Sequence, residues 1–252
     1  MQRTADPVLL LHGQPGNARD WDRVRQALGG RAETIQFDRP GWNGRGSPRD
    51  LAGNSRAALD ELDARGIARA RVVGHSLGGA IAAWLAAESP DRISAAVLVA
   101  PSANVASLNR LDQMLAAPVF GPVLTASTLA AGGLALTTGA VRRRVASEYG
   151  LEDRYLRRYA RALLKPATWA AFTVEQRMLI HDLPELERRL ESLAVPVTVA
   201  IGSADRIVTP SSARALAARI PNANLVEIPG ASHLLVQQNP EELAKLIVAP
   251  AG

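Results

Sequence analysis

The stretch Gly74-His75-Ser76-Leu77-Gly78-Gly79 joins a short apolar run with strand character, Arg71-Val72-Val73, to a longer apolar run of helical length that starts at Ala80. No other part of the chain constrains its fold as strongly. A strand that turns into a helix within two residues needs backbone without side chains on either side of the turn, and Gly74 and Gly78 supply it. A serine is a good helix N-cap, but a cap needs no glycine two residues before it and two after. Held at such a turn, Ser76 projects its hydroxyl from the end of a strand. The next amide, Leu77, opens a helix, and a helix N-terminus favours negative charge.

The rest of the chain repeats that strand-to-helix rhythm. Strands are predicted at Val8–Leu11, Thr34–Phe37, Val72–Val73, Ala95–Ala100, Val197–Ile201 and Asn224–Ile228, each a short apolar run closed by turn residues. Helices are predicted at Leu51–Arg65, Ile81–Ala87, Ser211–Ile220 and Glu241–Val248. Alternation of this kind implies an α/β fold with a mostly parallel sheet covered on both faces. Residues 103–192 break the rhythm. They contain charged helical runs such as EDRYLRRYARALL and no strand, so residues 1–102 and 193–252 are expected to form the core and 103–192 a helical insertion.

One part of that insertion, Gln113–Val141, has no charged residue. It is long enough to span a bilayer, but Pro118, Gly121, Pro122, Gly132, Gly133 and Gly139 break it up. Two short helices over an apolar cleft are expected instead, with a peripheral membrane contact as the lesser alternative. The start of the chain has an apolar run too short for a signal peptide. The chain has no cysteine, which removes disulfides and thiolate metal sites and suits a cytoplasmic location. Its net charge of +5 comes almost entirely from arginine, with Lys165 and Lys245 the only lysines. The arginines are scattered, only Arg142–Arg144 form a run, and no nucleic-acid module accompanies them, so no nucleic-acid partner is expected.

A serine hydroxyl needs a base, and the base needs an orienting group. The chain has four histidines: His12, His75, His181 and His233. His233 follows the last predicted strand, and Asp205 follows the strand before it. With Ser76, all three stand just past strand carboxyl ends, where open α/β sheets place their sites. Asp112 and Asp182 are rivals to Asp205, but both lie in the insertion. The histidines show no metal-ligand spacing, so no metal and no cofactor are expected.

The pieces HGQPG (12–16), DRPGWNGRGS (38–47), GHSLGG (74–79), GSADRIV (202–208) and GASHLL (230–235), in that order, resemble the α/β-hydrolase superfamily over nearly the whole chain. The resemblance implies that Ser76 is the nucleophile, Asp205 the acid and His233 the general base. It gives the backbone amides of Gln14 and Leu77 as the oxyanion hole, and the insertion as a cap that shapes the pocket. The chain departs from the family in three places. The two antiparallel strands that usually precede the HG strand are expected to be missing, Ser232-His233 replaces Gly-His, and the DRPGWNGRGS loop is longer.

Gln14, His75 and Trp42 are candidate pocket residues. Trp169 is expected either to line the pocket or to pack. His12 is expected to brace the oxyanion loop, and His181-Asp182 to form a solvated pair. The reading that results is a serine hydrolase acting on a small or medium apolar carboxylic ester through an acyl-enzyme. Three alternatives remain: perhydrolysis of the cofactor-free haloperoxidase type, carbon–carbon bond hydrolysis by the same triad, and a non-catalytic ligand-binding member of the fold. The partner expected is a small-molecule ester, and the oligomeric state is left open.

Overall fold

A computed structural model describes residues 6–221 and 223–250. Six strands form one sheet: β1 (Val8–Leu11), β2 (Thr34–Gln36), β3 (Ala70–His75), β4 (Ile93–Val99), β5 (Val197–Gly202) and β6 (Asn224–Ile228). Their order is β2-β1-β3-β4-β5-β6, and every neighbouring pair is parallel. Among the described residues no antiparallel strand precedes β1. Residues 1–5, part of the stretch before Val8, lie outside the described residues. β1 and β4 are almost wholly buried, as expected of apolar strands with helices on both faces.

The core helices are α1 (Asp22–Leu28), α2 (Leu51–Asp63) and α3 (Leu77–Glu88). Between β4 and β5 the chain is helical: α4 (Arg110–Ala116), α5 (Gly121–Thr137), α6 (Gly139–Tyr149), α7 (Asp153–Leu163) and α8 (Pro166–Leu190). After β5 come α9 (Pro210–Arg219), α10 (Leu235–Gln238) and α11 (Pro240–Val248). Helix α3 is buried from Leu77 to Ala86, so it is the central helix of one layer. The uncharged stretch Gln113–Val141 becomes the end of α4, all of α5 and the start of α6. No single described helix is long and apolar enough to cross a membrane; α4 and α5 pass that test only together, and they meet at 114°.

Helix α8 ties the helical segment to the sheet. Its later turns place Leu179, Leu183, Leu186 and Leu190 in the main hydrophobic core. Its earlier part carries Glu175, which forms a buried ion pair with Arg39 of the loop after β2. Asp182 has a capping role: its Oδ2 accepts the Leu51 N–H at 2.9 Å, at the start of α2. Its Oδ1 meets His181 Nδ1 at 2.9 Å on the surface.

The sheet order reverses between β1 and β3, because the chain leaves β1 on one side for β2 and returns on the other to β3. Loops at such a switch point diverge and leave a crevice. Leu11 pairs with Gly74, which sets the loop after β1 beside the turn after β3.

Candidate active site

Ser76 occupies that turn with φ 55° and ψ −120°, a backbone conformation that L-residues seldom adopt. Backbone hydrogen bonds hold it: its N–H donates to Val99 O at 2.9 Å, and its carbonyl accepts the N–H groups of Gly79 at 2.8 Å and Ser102 at 3.1 Å. The need for glycine around it is steric. A Cβ on Gly74 would lie 1.9 Å from Gly78 O, and one on Gly78 would lie 2.3 Å from Leu11 O. Strand, turn and helix are in backbone contact, and no side chain fits between them.

The loop after β1 runs alongside. A Cβ on Gly13 would stand 3.1 Å from Ser76 Cβ. Among the described residues the backbone amide of Gln14 has no acceptor, and neither does that of Leu77, the first residue of α3. Initial helix amides have no intrahelical acceptor. Both donors are therefore free beside Ser76. His12 braces this loop from below. Its Nδ1–H donates to Gly13 O at 2.8 Å while its Nε2 accepts the Arg39 N–H at 3.1 Å, so the ring is neutral in a defined tautomer. Burial, and then the Arg39 charge, hold its pKa well below the usual histidine value.

On the other side, β5 and β6 bring Asp205 and His233 together. Their loops touch at Gly202, where a Cβ would lie 2.2 Å from Ala231 O. His233 Nδ1 donates to Asp205 Oδ2 at 2.8 Å. Asp205 Oδ1 accepts the N–H groups of Ile207 at 2.8 Å and Val208 at 3.0 Å, so the carboxylate is satisfied and fixed. With Nδ1 engaged, His233 Nε2 is the nitrogen left for a reacting group. Ser76 and His233 both line one cleft of about 370 Å³.

His75 has a part that its sequence position does not reveal. Its Nε2–H donates to His233 O at 2.9 Å, with the two rings 4.9 Å apart. Burial, then the neighbouring His233, push its pKa down to about 3, so it stays neutral and keeps donating. His75 also lines the cleft, as does Gln14. Gln14 Nε2 donates to Gln176 Oε1 at 2.6 Å, and Gln176 Nε2 donates to Asp112 Oδ1 at 3.1 Å. The carboxylate fixes both amide orientations, because it can only accept. Burial raises the Asp112 pKa. Asp20, also in the cleft, is raised to about 6 by burial.

Trp42, expected in the pocket, does not line the cleft. It is buried beneath the site, edge-on to His12 at 6.1 Å and with the Arg39 guanidinium 6.0 Å from its ring centre. Trp169 likewise faces away, donating to Leu163 O at 2.6 Å, and Phe172 takes the cleft position one turn later. Tyr155, Tyr159, Phe172 and Gln176 were not expected in the cleft from sequence. The spacing of the two tyrosines on an amphipathic helix was the only signal for them.

The cleft thus brings together a strained serine, two amides beside it and, across it, a histidine–carboxylate pair at the ends of parallel strands. The alpha/beta hydrolase family profile matches residues 8–246, and the chain belongs to that family. Over 102 residues it is 39% identical to the dihydrolipoyllysine-residue acetyltransferase component of the acetoin cleaving system of Cupriavidus necator, a match that covers 38% of this chain and 27% of that protein. It is 28% identical to the pimeloyl-[acyl-carrier protein] methyl ester esterase of Nitrosomonas europaea, covering 93% of this chain and 91% of that one. Among solved structures, the enol-lactonase of Burkholderia xenovorans LB400 superposes with a TM-score of 0.73 at 21% identity, covering 97% of this chain and 90% of that one.

Proposed function

We propose that the protein is a serine hydrolase that cleaves a carboxylic ester through an acyl-enzyme. The observation that carries this reading is the 2.8 Å bond from His233 Nδ1 to Asp205, in a cleft that also holds Ser76 at its strained turn. His233 Nε2 takes the Ser76 proton as Oγ attacks the carbonyl carbon. The amides of Gln14 and Leu77 receive the charge that develops on the carbonyl oxygen, and one such donor is worth about 3–4 kcal/mol of barrier. Asp205 holds the imidazole tautomer and stabilises its cation. Collapse expels the alcohol, which takes the proton from His233. Water, activated by the same nitrogen, then releases the acid and restores Ser76. No cofactor takes part. The helical segment between β4 and β5 acts as a cap: Leu111, Leu115, Phe172 and Leu179 give the cleft apolar walls, which supports a small or medium apolar substrate.

Turnover of p-nitrophenyl esters tests this reading. Ser76→Ala and His233→Ala should each lower kcat by on the order of 10³–10⁶, and Asp205→Asn by about 10⁴. Hydrolysis that persists at the native rate in Ser76→Ala would contradict it.

A further inference from the structure

A second cavity, of about 560 Å³, adjoins the cleft that holds Ser76. Tyr155, Tyr159, Arg206, Ile207, His233 and Leu234 line both. Ser76 and Gln14 line only the first. The outer wall of the second comes from Leu136 of α5, Val145 and Tyr149 of α6, and Leu156 of α7. Of Ser76, Asp205 and His233, only His233 borders both spaces.

That asymmetry matters, given the reaction proposed above, on which this inference rests. The acyl group becomes bonded to Ser76 Oγ, so it must be accommodated where Ser76 is. The alcohol oxygen must receive its proton from His233. Since His233 Nδ1 is engaged by Asp205, Nε2 handles both transfers, and the alcohol leaves along the His233 side. We infer that the second cavity is the leaving-group chamber, and that the preferred substrates are esters of a bulky apolar alcohol with the smaller acyl group. The chamber has the size of a small-molecule site. Leu136, Val145, Tyr149 and Leu156 give it aliphatic and aromatic walls, with Glu148, Arg206 and Gln238 as polar groups at its border. In the step itself, the Ser76 Oγ–carbon bond forms as His233 gains the hydroxyl proton. The carbon–oxygen bond to the alcohol then breaks, and that proton moves to the departing oxygen. The neutral alcohol is left in the second cavity and the acyl group on Ser76 in the first.

Val145→Trp and Leu136→Trp would fill the chamber from two different helices. Both native side chains are only partly buried, so the added ring does not enter the hydrophobic core. The readout is a pair of ratios of kcat/KM. One compares 2-naphthyl acetate with ethyl acetate and reports the alcohol side; the other compares ethyl octanoate with ethyl acetate and reports the acyl side. Circular dichroism shows which variants fold, and either one suffices. The expected result is a loss of about tenfold or more in the alcohol ratio, with the acyl ratio moving less than about twofold. A native chain that hydrolyses esters, with variants that leave the alcohol ratio unchanged or lower the acyl ratio instead, overturns the chamber assignment and leaves the hydrolase reading standing. A native chain that hydrolyses none of these esters and whose Ser76 takes no fluorophosphonate overturns both.

Discussion

Gly74 carries one of the strictest requirements in the molecule. The atoms a side chain would meet there are the carbonyl carbon and oxygen of Gly78 and the nitrogen of Gly79, all backbone, so nothing flexible can give way. Gly74→Ala should destabilise the fold by at least about 3 kcal/mol and displace Ser76, as read from urea denaturation. An alanine variant of near-native stability would show that strand and helix do not approach as described. His75 leads to a different expectation. Held neutral by burial, it does not titrate across the working range, so the acid side of the kcat/KM profile should fall tenfold per pH unit, the slope of a single group. A His75→Gln variant, which keeps an amide donor, should keep that slope, whereas two protons lost on the acid side would mean that His75 titrates too. The positions of Ser76, Asp205 and His233 were readable because each is announced by its neighbours: glycines around one, strand ends before the others. The role of His75 was not, since a histidine next to the serine looks the same whether it faces substrate, solvent or the loop of another strand.

Between elements, the most consequential contact joins the loop after β2 to α8. The Arg39 guanidinium reaches both Glu175 carboxylate oxygens, and its remaining N–H groups donate to His12 O at 3.0 Å and Gly13 O at 3.2 Å. One buried cation thus links the helical segment to the loop that carries Gln14. Burial pushes the Glu175 pKa up, and the arginine opposes that shift. Removing one partner strands a charge in the interior. Arg39→Met should therefore cost about 3–5 kcal/mol in urea denaturation, and Arg39→Met combined with Glu175→Leu should recover most of that loss. A double variant no more stable than the single one would mean that the pair does more than satisfy its own charges. This link could not be read from the chain. Its partners lie 136 residues apart, and nothing in periodicity says which face of α8 meets which loop. The strands, by contrast, were legible to within two residues at every end, because short apolar runs closed by glycine, proline or aspartate have few other uses in a parallel sheet. Helix α1 was missed: its apolar positions, Val24 and Leu28, are too few to stand out.

At the scale of the whole molecule, the parallel sheet reverses order between β1 and β3, and the site forms where the loops diverge. The chain crosses the sheet so that residues from the ends of β1, β3, β5 and β6 meet: Gln14, Ser76, Asp205 and His233. Side chains of the helical segment after β4 line both cavities. Chain order foretold the mostly parallel α/β sheet. It did not foretell that Gln176 and Asp112 would join Gln14 in the cleft's polar wall, nor that Trp42 would turn inward, since both depend on how the helices settle over the sheet. The central claim is that this arrangement makes Ser76 a nucleophile. The most direct test is intact-mass analysis after incubation with a fluorophosphonate, run on the native chain and on Ser76→Ala. One adduct is expected on the native chain and none on the variant. A folded native chain that stays unlabelled, or a variant that labels equally, would contradict it.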